Sequence, residues 1–267
     1  MKLKVTVEYN GSKFSGWQLQ EGVLTVQGAI EEALGIIIRS ESKRRGLETP
    51  EIPKVIASGR TDRGVHALGQ VVSFEWPERL DVELSVIRRS LNGLMRHLVY
   101  CRDIANVPDS FDARHSPHLK SYTYRLRTRS GSVTPDSAMV WCVGELDVAS
   151  MIRAARGIVG THDFSSFRAS DCMAKSTERT ILVSELAREA SSHAEGDLVY
   201  TICGKGFLKQ MVRIIVGTLV DIGRGWRGES EIVRLLSACE RGQAGTTAPP
   251  HGLTLEWVRY LEKNYWD

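Results

Sequence analysis

Residues 55–74 read VIASGRTDRGVHALGQVVSF. Val55 to Ser58 and Gln70 to Phe74 have the apolar, β-branched make-up of strands, and the charged, glycine-bearing stretch Ser58 to Ala67 between them reads as a loop. Two strands in succession with no helix between them decide how the flanking sequence is read. Upstream, Leu3 to Glu8 alternates with period two and predicts a strand, while Val26 to Ile37, apolar at 26, 29, 30, 33, 34 and 37, predicts a helix. Downstream come a helix over Leu84 to Met95, apolar at 84, 87, 91, 94 and 95, and a strand near Val99 to Ala105. The order is β-α-β-β-α-β, the split βαβ or ferredoxin-like arrangement.

The same order recurs in the second half. A strand at Ser121 to Leu126 precedes a helix at Val148 to Ile158, strands at Ile181 to Leu186 and Leu198 to Cys203, a long helix from Phe207 to Ile222, a short one from Glu229 to Cys239, and a last strand at Leu253 to Tyr260. The expected fold class is therefore α+β: two similar ferredoxin-like (split βαβ) halves, 1–108 and 109–267, forming an extended antiparallel sheet with helices on one side and a basic cleft between the halves. Three segments lack periodicity. Arg39 to Lys54 is charged and Pro-bearing and reads as a mobile loop; the other two are Arg129 to Asp136, rich in Ser, Gly and Thr, and Gly242 to Gly252, rich in Gly, Thr, Ala and Pro.

Composition narrows the function classes. With 42% hydrophobic and 25% charged residues in a chain of 267, a globular protein is expected and disorder is not. No run of about 18 apolar residues predicts a membrane span. The charge balance, 35 Lys+Arg against 32 Asp+Glu, gives +3, so a nucleic-acid surface has to come from clustering. Five scattered cysteines (Cys101, Cys142, Cys172, Cys203, Cys239), never spaced as CxxC, argue against a disulfide framework or zinc knuckle. The N-terminus MKLKVTVEYNGSKF lacks the apolar core of a signal peptide, so a cytoplasmic protein is expected, and Asn10-Gly11-Ser12 reads as a turn after a strand.

Three places carry chemistry. The loop SGRTDRGVHA sets Asp62 between Arg60 and Arg63. Flanking cations favour the charged form of a carboxylate and keep it available as nucleophile or base, and Gly59 and Gly64 permit a tight backbone. On composition alone the commoner reading of such a loop is a hairpin turn with surface ion pairs. Arg213 lies in the apolar run FLKQMVRIIVGTLVDI, where a buried guanidinium needs a carboxylate partner, Asp62 being one candidate; an Arg snorkelling from the edge of an apolar face fits equally. Lys209 falls one turn earlier on the same stripe. In KSYTYRLRTR (120–129), Tyr122 and Tyr124 alternate with Arg125, Arg127 and Arg129, the make-up of a looped-RNA surface or of an ordinary strand whose tyrosines join the core.

Other matches are discounted. Gly223-x-Gly225-x-x-Gly228 fits GxGxxG but follows a helix where the dinucleotide fingerprint follows a strand. There is no GxxxxGK[ST] loop, and the histidines 66, 97, 115, 118, 162, 193 and 251 show no HExxH-like spacing, so no metal is expected; His66 beside Asp62 is a weak metal argument. 

SGRTDRGVHALGQVVSF resembles the signature loop of the TruA family of tRNA pseudouridine synthases. The likeness continues through EYNGSKFSGWQ (8–18), SFDARHS (110–116), KSYTYRL (120–126), GTHDFSSFRA (160–169), GFLKQMVRIIVG (206–217) and TAPPHGL (247–253), covering nearly the whole chain in order. The resemblance implies an isomerase that converts uridine to pseudouridine in the tRNA anticodon stem-loop, at positions 38 to 40, by base flipping and without metal or organic cofactor. It implies Asp62 as the catalytic aspartate, Arg60 as the residue that helps displace the target nucleotide, Tyr122 as the ring that stacks on the flipped uracil, and Arg213 as the partner of the catalytic carboxylate. It further implies a homodimer gripping one tRNA. Arg63 departs from the Ala common after this Asp, and the charged Arg39 to Lys54 segment reads as an insertion that reshapes the RNA cleft. The rival readings are a non-catalytic RNA-binding module, in which Asp62 would be dispensable, and a synthase for another RNA position, favoured only by the insertion.

Overall fold

The alternation at the amino end is realised residue by residue: in β1 (Lys2–Tyr9) Leu3, Val5, Val7 and Tyr9 are buried and the residues between them are not. A computed structural model describes residues 1–128, 138–189 and 197–261. After β1 the chain runs α1 (Val26–Arg45), β2 (Ile56–Ala57), β3 (His66–Glu75), α2 (Leu84–Leu94), β4 (Val99–Val107), β5 (His118–Arg127) and β6 (Trp141–Cys142). It continues with α3 (Val148–Arg156), β7 (Gly160–Asp163), β8 (Glu178–Arg188), β9 (Leu198–Gly204), α4 (Met211–Gly223), α5 (Glu231–Ala238) and β10 (Leu253–Tyr260). This is the α+β class expected from the sequence. By contact it forms two compact units, Met1–Pro117 with Leu255–Tyr260, and His118–Thr254.

In the first unit β1 pairs antiparallel with both β3 and β4, Val5 facing Val72 on one side and Ile104 on the other. β2 and β10 also lie on β3, giving β4-β1-β3-β2 for the strands of the first half, the order a split βαβ unit takes. Helix α1 opens on Thr25, whose side chain accepts from the Gly28 N–H, and buries Ile30, Leu34 and Ile38. The expectation of a loop from Arg39 is corrected here: the helix runs on to Arg45. Ser42 extends the buried 30-34-38 stripe, Arg44 and Arg45 pair with Glu41 from three and four residues away, and Gly46 ends the helix at φ 65. 

In the second unit the order is β5-β9-β8-β7, all antiparallel, with β6 parallel to the end of β5. The long helix also starts later than its apolar run suggests. Gln210 sits at φ 60, a left-handed conformation that cannot continue a helix, so Phe207, Leu208 and Lys209 form the turn before α4. Lys209 therefore does not share a stripe with Arg213; it pairs with Asp171 at 2.6 Å. α4 is buried nearly all round, as a sequence apolar at most positions requires. A Cβ on Gly217 would lie 1.8 Å from the Thr246 carbonyl oxygen, so only glycine lets the 244–248 segment lie this close. The short β7, a polar GTHD stretch, carries no alternation to predict it. Arg129 to Asp136 falls outside the described residues. Among those residues no helix is long and apolar enough to cross a membrane.

Candidate active site

Asp62 stands half-buried in a turn that the chain grips from both flanks. The Val65 N–H donates to the Asp62 carbonyl at 3.1 Å, and Gly64, third in this turn, has φ 82, the conformation a type II turn requires at that place. On the amino side Thr61 is buried: its carbonyl accepts from the Trp17 N–H at 3.0 Å and its hydroxyl lies 2.8 Å from the Tyr9 hydroxyl. Further back, Ser58 donates to Gln70 Oε1 at 2.7 Å and Gln70 Nε2 donates to the Gly59 carbonyl at 2.8 Å, tying the loop's entry to β3.

The other jaw of this grip is the segment after β1. A Cβ on Gly11 would lie 2.0 Å from the Val65 carbonyl oxygen, and Gly16, at φ 101, lies against Thr61, Asp62 and Arg63 backbone atoms. The Gly11 N–H donates to His66 Nδ1 at 3.1 Å, so the buried imidazole has a structural task. Tyr9, Phe14 and Trp17 meet as an aromatic cluster beneath, with Tyr9 centroids 6.1 and 6.4 Å from its two neighbours. Burial pushes the Tyr9 hydroxyl up to about 12, which keeps it a neutral hydrogen-bonding group in any working buffer. Sequence reading took Asn10-Gly11-Ser12 only as a turn; the pair of glycines in YNGSKFSG was the available sign that another backbone approaches.

Two outcomes follow for this bracket. Gly11→Ala forces the Val65 backbone to move, and a loss of at least about 2 kcal/mol in stability is expected by thermal or urea unfolding, with turnover falling alongside. In Tyr9→Phe the ring packing stays and only the hydroxyl bonded to Thr61 is lost. A loss of about 1 to 2 kcal/mol in stability is expected, with any activity that depends on Asp62 reduced about tenfold; unchanged activity would show that this bond does not set the Asp62 loop.

The second unit assembles the other matched segments. Tyr122, on β5, is buried and meets Phe207 edge to face, ring centroids 5.1 Å apart. Arg213, in the first turn of α4, is half-buried, neither fully enclosed nor snorkelling: its Nε donates to the Ala248 carbonyl at 2.8 Å, and the Ala248 N–H donates back to the Arg213 carbonyl at 3.1 Å. Tyr124 donates to the Pro249 carbonyl at 2.7 Å; burial raises its hydroxyl above the usual range and the Arg213 charge opposes that rise. Ala169, closing GTHDFSSFRA, donates its N–H to the Lys209 carbonyl at 3.0 Å. Four of the segments singled out in the sequence are thus linked through the 207–213 stretch that leads into α4 and the TAPP segment it binds.

The arginines of the tyrosine strand are corrected. Arg127 makes a two-pronged pair with Asp197 at 2.7 and 2.9 Å and is only 9% exposed, and Arg125 pairs with Glu189. Both are neutralised by neighbouring carboxylates and do not offer the bare cationic face the alternation suggested; Arg129 lies outside the described residues. Arg60 and Arg63 are exposed on either side of Asp62. Asp62 and Arg60 belong to the first unit, Tyr122 and Arg213 to the second. Among the described residues no group of three or more His, Cys, Asp or Glu could hold a metal ion.

Comparison with known proteins agrees with these segments. A family model described as tRNA pseudouridine synthase matches residues 154–261. The tRNA pseudouridine synthase A of Citrifermentans bemidjiense is 37% identical over 264 residues, covering 98% of each chain. That of Myxococcus xanthus is 40% identical over 263 residues, with 98% of this chain and 92% of the relative covered. In Anoxybacillus flavithermus the figures are 38% over 259 residues, 97% and 98%. The chain belongs to the tRNA pseudouridine synthase family, whose members are isomerases. Its end-to-end kinship is with synthase A, the TruA branch.

Proposed function

We propose that this protein isomerises uridine to pseudouridine in the anticodon stem-loop of tRNA, at positions 38 to 40, with Asp62 as the catalytic carboxylate and with no metal or organic cofactor. The observation that carries this reading is the doubly gripped turn of Asp62, whose neighbours Thr61 and Val65 are buried and hydrogen-bonded while Asp62 itself is only half-buried. The N-glycosidic bond has to break, the uracil has to turn, and a carbon–carbon bond has to form at C5 with loss of the C5 hydrogen. That sequence asks for one oriented carboxylate near C1′, C2′ or C6, acting on carbon as nucleophile or on a sugar proton as base.

The remaining roles follow from the same chemistry. A uridine in a stacked stem is out of reach until it is extruded, at a cost of a few kcal/mol, and Arg60, exposed beside Asp62, displaces it and fills the gap. Tyr122 stacks on the flipped uracil, its ring held by Phe207. Arg213 pairs with the Asp62 carboxylate and keeps it charged and oriented. The working form is a homodimer in the cytoplasm that grips one tRNA across both subunits. The test is tritium release from unmodified tRNA labelled at uridine C5, which the isomerisation expels while mass stays constant. Release that disappears when uridines 38 to 40 are replaced by cytidine supports both the reaction and the positions. Release that persists moves the site elsewhere in the RNA, and tight binding with no release across a panel of transcripts leaves a binding module.

A further inference from the structure

At the carboxyl end of α4 the chain reads GRGWRG (223–228), and Trp226 there is 70% exposed, the most exposed aromatic residue described. Gly225, at φ 73, turns the backbone, and the Trp226 N–H is fixed on the Asp221 carbonyl at 3.0 Å, so the ring projects from a set position. Arg224 lies over its face, guanidinium carbon 4.7 Å from the ring centroid. Surrounding arginines are committed to carboxylates: Arg227 to Asp221 at 3.2 Å and Glu231 at 2.6 Å, Arg234 to Glu231 at 2.8 Å, Arg153 to Glu229 at 2.6 Å. Among the described residues no carboxylate pairs with Arg224. A presented indole face with an uncompensated guanidinium stacked on it complements a ligand that is aromatic and anionic together, which is what an unpaired nucleotide offers: a base to stack and a phosphate to bind.

We infer that Arg224 and Trp226 form a second RNA contact, stacking an unpaired base of the bound tRNA and binding its phosphate apart from the uridine that reacts. Arg213 is in the first turn of α4 and Trp226 lies just past its last, so at 1.5 Å per residue over 213–223 the contact lies about 15 Å along the helix from Arg213. That separation reaches beyond a single flipped nucleotide and makes the contact a gauge of tRNA architecture around the target. An exposed Trp with Arg is also the make-up of a protein–protein hot spot. The uncompensated charge favours RNA, and a second copy of this chain is the outcome the test has to separate.

The inference rests on the tRNA reading above, and the two fail separately. Binding of unmodified tRNA transcript is measured by filter retention over a range of salt for the wild type, Trp226→Phe, Trp226→Ala and Arg224→Gln, with melting curves and sedimentation of each RNA-free protein. Trp226→Ala is expected to weaken binding at least about fivefold, Trp226→Phe to lose less, and Arg224→Gln to flatten the slope of log K against log salt by about 1. Melting should not change, since the ring is exposed. Affinity of Trp226→Ala within about twofold of wild type overturns the inference. So does a changed sedimentation coefficient without a change in affinity, which assigns the surface to a second copy. Absence of tritium release by the wild type, with the Trp226 effect on binding intact, counts against the proposed reaction and leaves the contact standing.

Discussion

Asp62→Asn is expected to lower tritium release from C5-labelled tRNA by at least about a thousandfold while leaving tRNA affinity within a few-fold of wild type. The size follows from what the substitution removes. Asn keeps the shape and the capacity to accept a hydrogen bond but has neither the charge nor the basicity that nucleophilic attack or proton removal demands. The small expected effect on binding follows from where the residue sits. The turn is held by backbone bonds from Val65 to Asp62 and from Trp17 to Thr61, and by the Tyr9–Thr61 pair, none of which uses the Asp62 side chain. Asn leaves those bonds in place, and a melting curve close to wild type would show it. Near-normal release would remove Asp62 from the reaction and revive the non-catalytic reading of this loop.

The parts of this protein that sequence exposes and those it hides differ in a physical way. Period-two alternation in LKVTVE and the 30-34-38 stripe of α1 are local, and each became the element it predicts. The end of α1 was also local but overlooked: KRR before Gly46 is a helix terminus with cations at its negative end, and charge was mistaken for looseness. The start of α4 was hidden because Phe207 and Leu208 continue the apolar run while the backbone at Gln210 turns left-handed. Longer-range facts are harder still. Arg127 ends β5 and Asp197 immediately precedes the neighbouring β9, 70 residues apart, and no spacing rule links them, so a neutralised arginine resembles a phosphate ligand in the sequence.

The site divides the same way. Asp62, Arg60, Tyr122 and Arg213 stood out because their residue types conflict with their surroundings or match a family pattern. Tyr9, Gly11, Gly16 and Thr61, which hold the Asp62 turn, were invisible as a group: a buried tyrosine on a strand and a pair of turn glycines have ordinary explanations, and their contact spans over 50 residues. Their shared purpose follows only from the close approach of Gly11 to Val65. Phe207, ring to ring with Tyr122, was likewise absorbed into the apolar run of the next helix.

Arg213→Lys is expected to reduce turnover on the order of a hundredfold with the fold retained. The argument starts from the Arg213 surroundings. α4 and the segment ending in TAPP are locked together, with Gly217 under the Thr246 carbonyl, the Gly245 N–H on Thr218 Oγ1 at 3.0 Å, and Ala248 hydrogen-bonded to Arg213 in both directions. Nε donates to the Ala248 carbonyl, and the proposed role asks the same planar guanidinium to hold the Asp62 carboxylate as well. An ammonium can replace one of these bonds but not both in the same plane, so Lys either keeps Ala248 and releases the carboxylate or the reverse. The Ala248 N–H to the position-213 carbonyl bond is backbone and survives, as do the Gly217 and Gly245 contacts, which is why stability should fall by only about 1 kcal/mol. A drop in kcat with unchanged Kd for tRNA, and a circular dichroism spectrum like wild type, would place Arg213 in orienting the carboxylate. A fall in affinity with kcat kept would instead make it a phosphate ligand, and unchanged turnover would remove the ion pair from the mechanism.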